Sequence, residues 1–488
     1  MTKSISQQLN ELEDYRVDLQ KRLEKEAQGP DAEEYTGPVP KRDIQKYEDD
    51  KQAFMNNNFF CYMPWTMVYS EVTGNWQTCC HAAEQTEMNV ENTSPEEWMK
   101  SEMQQALRDE MLDPNSDKKV INQVCRRCVK EEKLYGESRR LRKLRNSYFD
   151  GDFPYRQDIM RAIEMYELTG EFEFEYRILE SQVKVFGMQC NLDCHMCHPR
   201  HSTTRQKTQL KDGLMDHDIY THRHTKDENG NQNNDEVQKY VDKVMKDRSK
   251  GQIEKLQEIA PYTYFVKVIG GEPLVMKKQY EYLQMLVDTG QSKHIQVKYQ
   301  TNMTKLGTKT HKVIDFIPHF KRFTFTASLD SMGDAIEYCR RRTKWDEVLE
   351  NIRIVTQFPN AKVDVNAVMG FLSVLRFYEF LEWVETQDSI EKPISIYGLE
   401  YPAYFQVKNL PEKIKRNLIP KYKGYPDIQA MLREPRDEFG DEESLQKTLN
   451  YFLTGDEYYK GTKYEKNLFE VFPELEEFYK PVKVIAKD

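Results

Sequence analysis

Cys190, Cys194 and Cys197 form a Cys-x3-Cys-x2-Cys triplet just past a short apolar run, and this placement constrains the chain more than any other feature. In α/β folds the C-terminal ends of the strands form the mouth where chemistry is kept, so a thiol triplet there points to a reactive centre. The 488 residues contain nine cysteines, far too sparse for a disulfide framework. Clustered thiols in a reducing compartment point instead to metal binding or catalysis. The opening residues Met1-Thr2-Lys3-Ser4-Ile5-Ser6 lack the apolar core of a signal peptide, and no run of about 18 apolar residues suggests a membrane span. A cytoplasmic address with no membrane association is expected. The net charge of −10 argues against a nucleic-acid partner, because phosphate binding calls for a basic surface. The run from Arg139 to Arg145 is a local basic exception, read as a solvated helix face.

From about residue 182 onward, β-branched or aromatic runs alternate with helical stretches, the pattern of parallel β-α units. Strands are expected over Val183–Phe186, Tyr264–Ile269, Ile295–Gln300, Phe323–Ser328, Val363–Val368 and Ile394–Leu399. Helices are expected over Gln279–Val287, with Gly290 as a stop, over Trp345–Phe358, and from Val374 to about Glu385. Six such units make a partial barrel or a doubly wound sheet, which periodicity does not separate. Four regions follow. Residues 1–55 read as a peripheral charged helical arm with a Gly29-Pro30 break, and Leu9, Leu12, Leu19 and Leu23 recur at helical spacing. Residues 56–150 read as a small cysteine-rich α+β module, with one amphipathic helix over Pro95–Met111 capped by Ser94. Residues 151–400 hold the β-α units, interrupted at about 201–260 by a polar insertion. Residues 401–488 read as a helical, aromatic extension packed on the barrel exterior.

Three thiolates can hold three irons of a 4Fe-4S cubane while the fourth iron stays open to an exogenous ligand. A structural zinc completed by His195 or His198 is the competing reading. Far downstream, the second expected strand runs into Gly270-Gly271-Glu272-Pro273, where the glycines allow close backbone approach and Glu272 can accept from an ammonium group. Triplet and strand end together resemble the radical S-adenosylmethionine (SAM) superfamily. The resemblance implies a partial (β/α)6 TIM-like barrel and SAM bound to the open iron through its amino and carboxylate groups. It implies reductive cleavage to methionine and a 5'-deoxyadenosyl radical, which abstracts a hydrogen atom from a substrate. It assigns Gly270, Gly271, Glu272 and Pro273 to the SAM amino group. Further contacts are implied from Asn302 after Thr301, from Ser328 and Asp330, and from an arginine among Arg340, Arg341 and Arg342, with Arg341 the nominal choice. Asn366 is a weaker candidate, and Cys339 reads as a small buried apolar residue. Met196 departs from the family, which commonly has an aromatic residue before the third cysteine.

Upstream lie Cys61-Tyr62-Met63-Pro64-Trp65, then Gly74 with Cys79 and Cys80, then Cys125-Arg126-Arg127-Cys128. Four thiols suit a structural zinc or a 4Fe-4S cluster, and spacing alone favours zinc. These motifs, with the following Ser138-Arg139-Arg140, resemble the twitch module, the single-cluster relative of the SPASM domain. That resemblance implies an auxiliary 4Fe-4S cluster on Cys61, Cys79, Cys125 and Cys128, with Cys80 the substitute for Cys79. It further implies a peptide, protein or small-metabolite substrate and a flavodoxin- or ferredoxin-type electron donor. Two readings without SAM chemistry compete: a zinc-stabilised interaction module and an iron-sulfur electron carrier.

Overall fold

The computed structural model describes residues 3–28, 38–83, 88–149, 155–174, 177–184, 186–211 and 249–480. The Gly29-Pro30 break and most of the polar insertion lie outside these. The chain divides into two units, residues 1–182 with 250–265 and residues 183–249 with 266–488.

In the first unit, helix Ile5–Gln28 carries the expected leucine stripe, and a second helix spans Lys41–Asn57. Ile5, Leu9, Leu12 and Leu19 are buried, and only Leu23 is exposed. The Ile5 and Ser6 amides, orphan donors at a helix start, donate to Glu167 at 3.1 and 3.3 Å. The arm is therefore part of the unit's core, not a peripheral attachment. Strands β1 (Met67–Ser70) and β2 (Trp76–Gln77) form an antiparallel pair with Tyr69 opposite Gln77. The single helix expected over Pro95–Met111 is two, Pro95–Met99 and Glu102–Leu112. Ser94 and Glu97 form a capping box on the first. Ser101 caps the second by accepting from the Gln104 amide, and this second cap ends the first helix.

β3 (Leu179–Val183) lies upstream of the expected first strand. Its Glu180, Ser181 and Gln182 are polar yet buried, so an apolar-run criterion passes over them. Then come β4 (Asp193–Cys194), β5 (Thr263–Val268), β6 (Gln296–Thr301), β7 (Arg322–Ser328), β8 (Arg340–Arg341), β9 (Ala361–Met369) and β10 (Ser395–Gly398). In the second unit β6, β7, β9 and β10 pair in parallel in the order β10-β9-β7-β6. Neighbours in this sheet follow chain order without the reversal that marks a doubly wound fold. One face buries Val297, Tyr299, Phe323, Phe325, Val363 and Val365. At about 2 kcal/mol for each fully buried side chain, that face supplies a large part of the unit's stabilisation. The opposite face carries Lys298, Gln300, Ser328, Asp364 and Asn366, all half-buried, and it lies beside the strand ends that position the triplet.

Candidate metal and cofactor sites

The loop after β3 is held by its own hydrogen bonds. The Cys190 amide donates to Thr203 Oγ1 (3.2 Å), Thr204 Oγ1 donates to the Cys190 carbonyl (2.7 Å), and the Cys197 amide donates to the Cys194 carbonyl (3.0 Å). β4 pairs antiparallel with β8, setting Cys194 opposite Arg340 and Asp193 opposite Arg341. The three thiols are electrostatic neighbours, and burial first, then mutual repulsion, raises Cys190 well above the usual thiol range and Cys197 to about 12. Thiols held protonated this way await a cation that draws off their protons.

A zinc ion with bonds of about 2.3 Å to sulfur draws its ligand atoms to about 3.8 Å of one another. Among the described residues, the group of three such ligand atoms lying within 4.8 Å of one another is His81, Cys128 and Glu131. Neither the triplet with its neighbouring histidines nor the four upstream thiols forms such a group. His195 packs among rings instead, 5.1 Å from Tyr338 and 5.1 Å from Phe452. Burial, then Arg341 and Arg205, keeps it neutral.

Gly270-Gly271-Glu272-Pro273 is docked against the cysteine loop. The Glu272 amide donates to the Gln189 carbonyl at 2.8 Å. A Cβ on Gly271 would meet the carbonyl oxygens of Met188 and Gln189 at 2.5 Å, and Gly270 has φ +153° with the Gly187 oxygen 2.8 Å from its own ideal Cβ. Only glycine permits this approach. The Glu272 carboxylate is buried; Oε1 accepts from the Leu274 amide (3.1 Å) and Thr301 hydroxyl (2.8 Å), Oε2 from the Asn302 amide (2.7 Å). Burial outweighs these donors and lifts its pKa to about 7.

Asn302 is joined to the cysteine loop, its Nδ2 donating to Asn191 Oδ1 at 3.1 Å. Ser328 stands beside Asn366 in the β7–β9 register. Asp330 is fully buried and accepts from the Val368 amide (2.8 Å) and Arg340 Nε (2.7 Å). Successive side chains on a strand point to opposite sides, so Arg340 and Arg341 cannot share a target. Arg340 faces Asp330 and Cys194. Arg341 faces away, bonded to Asp456 and to the carbonyls of Tyr464 and Lys466. It is thus an anchor for the C-terminal region. Cys339 is buried as expected of a small apolar residue, and its carbonyl accepts from the His195 amide.

The C-terminal region does more than cover an exterior. Helix Glu442–Tyr459 places Tyr459 on Asp193 at 2.7 Å and Tyr451 on Arg205, while Arg205 and Asp193 form a fully buried ion pair at 2.7 Å. These residues brace the triplet's loop. An Asp beside the second cysteine and an Arg past the third were visible in the sequence, but nothing marked their tyrosine partners. Next to Met196 lies an apolar slot lined by Val368, Gly370, Phe371, Leu399 and Phe405.

In the first unit, Cys61, Cys79, Cys125 and Cys128 line one cavity together with Arg140 and His81, and Cys80 is not among its lining residues. Cys61 and Cys79 are raised to about 12, by burial first and then by neighbouring thiols. Arg140 is only 4% exposed. It pairs with Glu132 at 2.7 Å and donates to the carbonyls of Asn58 (3.1 Å) and Phe60 (3.0 Å). Within the basic run Arg142 is exposed as a solvated face requires, but Arg140 is buried and lines the thiol cavity, a role that charge pattern alone cannot reveal. His81 is pushed down to about 4 by burial, then by Arg127 and Arg139.

No protein-family profile matches the chain, and no curated protein matches it. Among solved structures, SuiB of Streptococcus suis bound to S-adenosylmethionine is 14% identical, with TM-score 0.32 over 57% of this chain and 51% of that one. SuiB bound to its precursor peptide SuiA gives 14% identity and TM-score 0.31 over 57% and 52%. The chain spans about half the length of these proteins. A likeness at that level assigns neither fold nor chemistry.

Proposed function

We propose that the chain is a radical SAM enzyme built on a partial (β/α)6 barrel, with a SAM-binding 4Fe-4S cluster on Cys190, Cys194 and Cys197 and an auxiliary 4Fe-4S cluster on Cys61, Cys79, Cys125 and Cys128. The observation that carries this reading is the side-chain-free contact of Gly271 with the backbone of Met188 and Gln189, which brings two motifs far apart in sequence against one another. When bound, the triplet's cluster supplies one-electron cleavage of SAM to methionine and a 5'-deoxyadenosyl radical that takes a hydrogen atom from the substrate.

The chain's own residues bind and orient. Glu272, ionised above about pH 7, accepts from the SAM ammonium alongside the backbone of Gly270, Gly271 and Pro273. Arg340, held in place and charged by Asp330, meets the SAM carboxylate as a bidentate donor. The slot beside Met196 takes the adenine ring, a thioether replacing the aromatic residue usual in the family. Asn302, Ser328 and Asn366 supply polar contacts at the strand ends. The half-buried polar face of β6, β7 and β9 orients a peptide, protein or small-metabolite substrate, and a flavodoxin- or ferredoxin-type protein supplies electrons in the cytoplasm.

The test is electron paramagnetic resonance on the anaerobically reconstituted, reduced chain carrying Cys61→Ala and Cys125→Ala, so that the triplet's cluster is observed alone. SAM shifts that signal under this assignment. A signal indifferent to SAM would leave an electron carrier, and zinc in place of iron would leave an interaction module.

A further inference from the structure

The cavity of the first unit is flanked by a ligand set of which the proposed chemistry uses only Cys128. A ring nitrogen of His81, Cys128 Sγ and a carboxylate oxygen of Glu131 lie within 4.8 Å of one another. His81 Nδ1 and Glu131 Oε2 are buried and have no hydrogen-bond partner among the described residues, while Glu131 Oε1 accepts from Arg127 Nε at 2.8 Å. Cys128 and Glu131 are three apart on helix Arg126–Tyr135, hence on one face. His81 comes from the turn after β2. Orphaned buried polar atoms are expensive to keep. Two of these atoms, on His81 and Glu131, are orphaned, while Cys128 has a backbone partner at Arg140; a divalent cation would take both orphans together with the adjacent sulfur.

The donor chemistry selects the cation. One sulfur, one nitrogen and one oxygen suit zinc, whereas magnesium and calcium take oxygen alone. A thiolate and a carboxylate cancel the ion's two charges, so the occupied site is itself neutral beside Arg127, Arg139 and Arg142. Three protein ligands leave a fourth position open, the arrangement of reactive rather than sealed zinc sites. Glu131 keeps 20% of its side chain exposed, which gives an ion a way in.

We propose that His81, Cys128 and Glu131 bind one divalent cation of the zinc class, and that this cation and the auxiliary cluster are alternative occupants because both draw on Cys128. The second half rests on the cluster assignment above; the first does not.

The probe is Co2+ titrated anaerobically into the full-length chain carrying Cys190→Ala, Cys194→Ala and Cys197→Ala, read by thiolate-to-cobalt charge-transfer and d–d absorption. One equivalent binds with the intensity of a single thiolate, His81→Ala and Glu131→Gln each weaken it by about tenfold or more, and Cys61→Ala leaves it unchanged. Loading iron and sulfide into this chain expels the cobalt. Cobalt binding that survives both His81→Ala and Glu131→Gln, or that is lost in Cys61→Ala, overturns the site. Full simultaneous loading of cobalt and four irons overturns the exclusivity. Failure of the cluster assignment looks different: iron does not load, while cobalt still binds and still depends on His81 and Glu131.

Discussion

Replacing Gly271 by alanine tests whether the two halves of the SAM pocket touch as described. The new methyl would sit 2.5 Å from the carbonyl oxygens of both Met188 and Gln189 and 2.7 Å from the Met188 carbonyl carbon, where ordinary contact begins at 3.4 Å. All three are backbone atoms of the cysteine loop, so the loop must retreat by roughly 0.9 Å, since no side chain can swing aside. The retreat stretches the 2.8 Å bond from the Glu272 amide to the Gln189 carbonyl beyond a useful length. Overpacking of about 1–3 kcal/mol and a lost hydrogen bond of about 1 kcal/mol make a destabilisation of about 2–4 kcal/mol. A misplacement near 1 Å also lowers the SAM-cleavage rate by about 100-fold. Thermal unfolding of the apo chain and 5'-deoxyadenosine production by the reconstituted chain read the two effects. Gly251→Ala is the control: its nearest atom is the Val90 oxygen at 3.8 Å, and within a helix alanine gains about 1 kcal/mol. A Gly271→Ala chain as stable and as active as wild type would refute the packing argument.

SAM affinity falls as pH drops through about 7, by up to about tenfold per unit, because protonated Glu272 no longer attracts the ammonium; calorimetry with Glu272→Gln shows a flat profile over that window. The same raised pKa means that Glu272's contribution to apo-chain stability is complete below its unfolded value of 4.5 and is lost as pH rises through about 7, which pH-dependent unfolding detects. Arg341→Ala strands buried Asp456 and lowers stability by about 3–5 kcal/mol while SAM affinity, measured on the folded fraction, stays within about twofold. Arg340→Lys keeps the charge toward Asp330 but loses bidentate geometry and weakens SAM by about tenfold or more. Alanine at Cys61, Cys79, Cys125 or Cys128 lowers iron from about eight to about four per chain, and Cys80→Ala leaves it unchanged. Cys61, Cys79 and Cys197 sit near 12, so loading releases their protons and iron uptake tightens from pH 7 to pH 9.

The strands were legible where apolar alternation was intact. β6, β7, β9 and β10 begin and end within about two residues of the pattern's expectation, and they pair in parallel as β-α units require. β3 was displaced because a strand buried through Glu180, Ser181 and Gln182 carries no apolar signature. Both cysteine sets were legible as spacing, yet spacing did not distinguish zinc from a cluster, because both metals accept close thiols. Which arginine faces the site was illegible because it depends on β8 pairing with β4, a contact between distant segments. Arg140, Tyr451 and Tyr459 were hidden for the same reason: their partners lie far along the chain, and local charge or aromaticity reads the same on a surface as in a core.

The central claim is tested most directly by incubating the anaerobically reconstituted chain with SAM and dithionite and quantifying 5'-deoxyadenosine. The account predicts product from the wild-type chain and none from Cys190→Ala, Cys194→Ala or Cys197→Ala; iron-loaded wild-type chain that leaves SAM intact would contradict it.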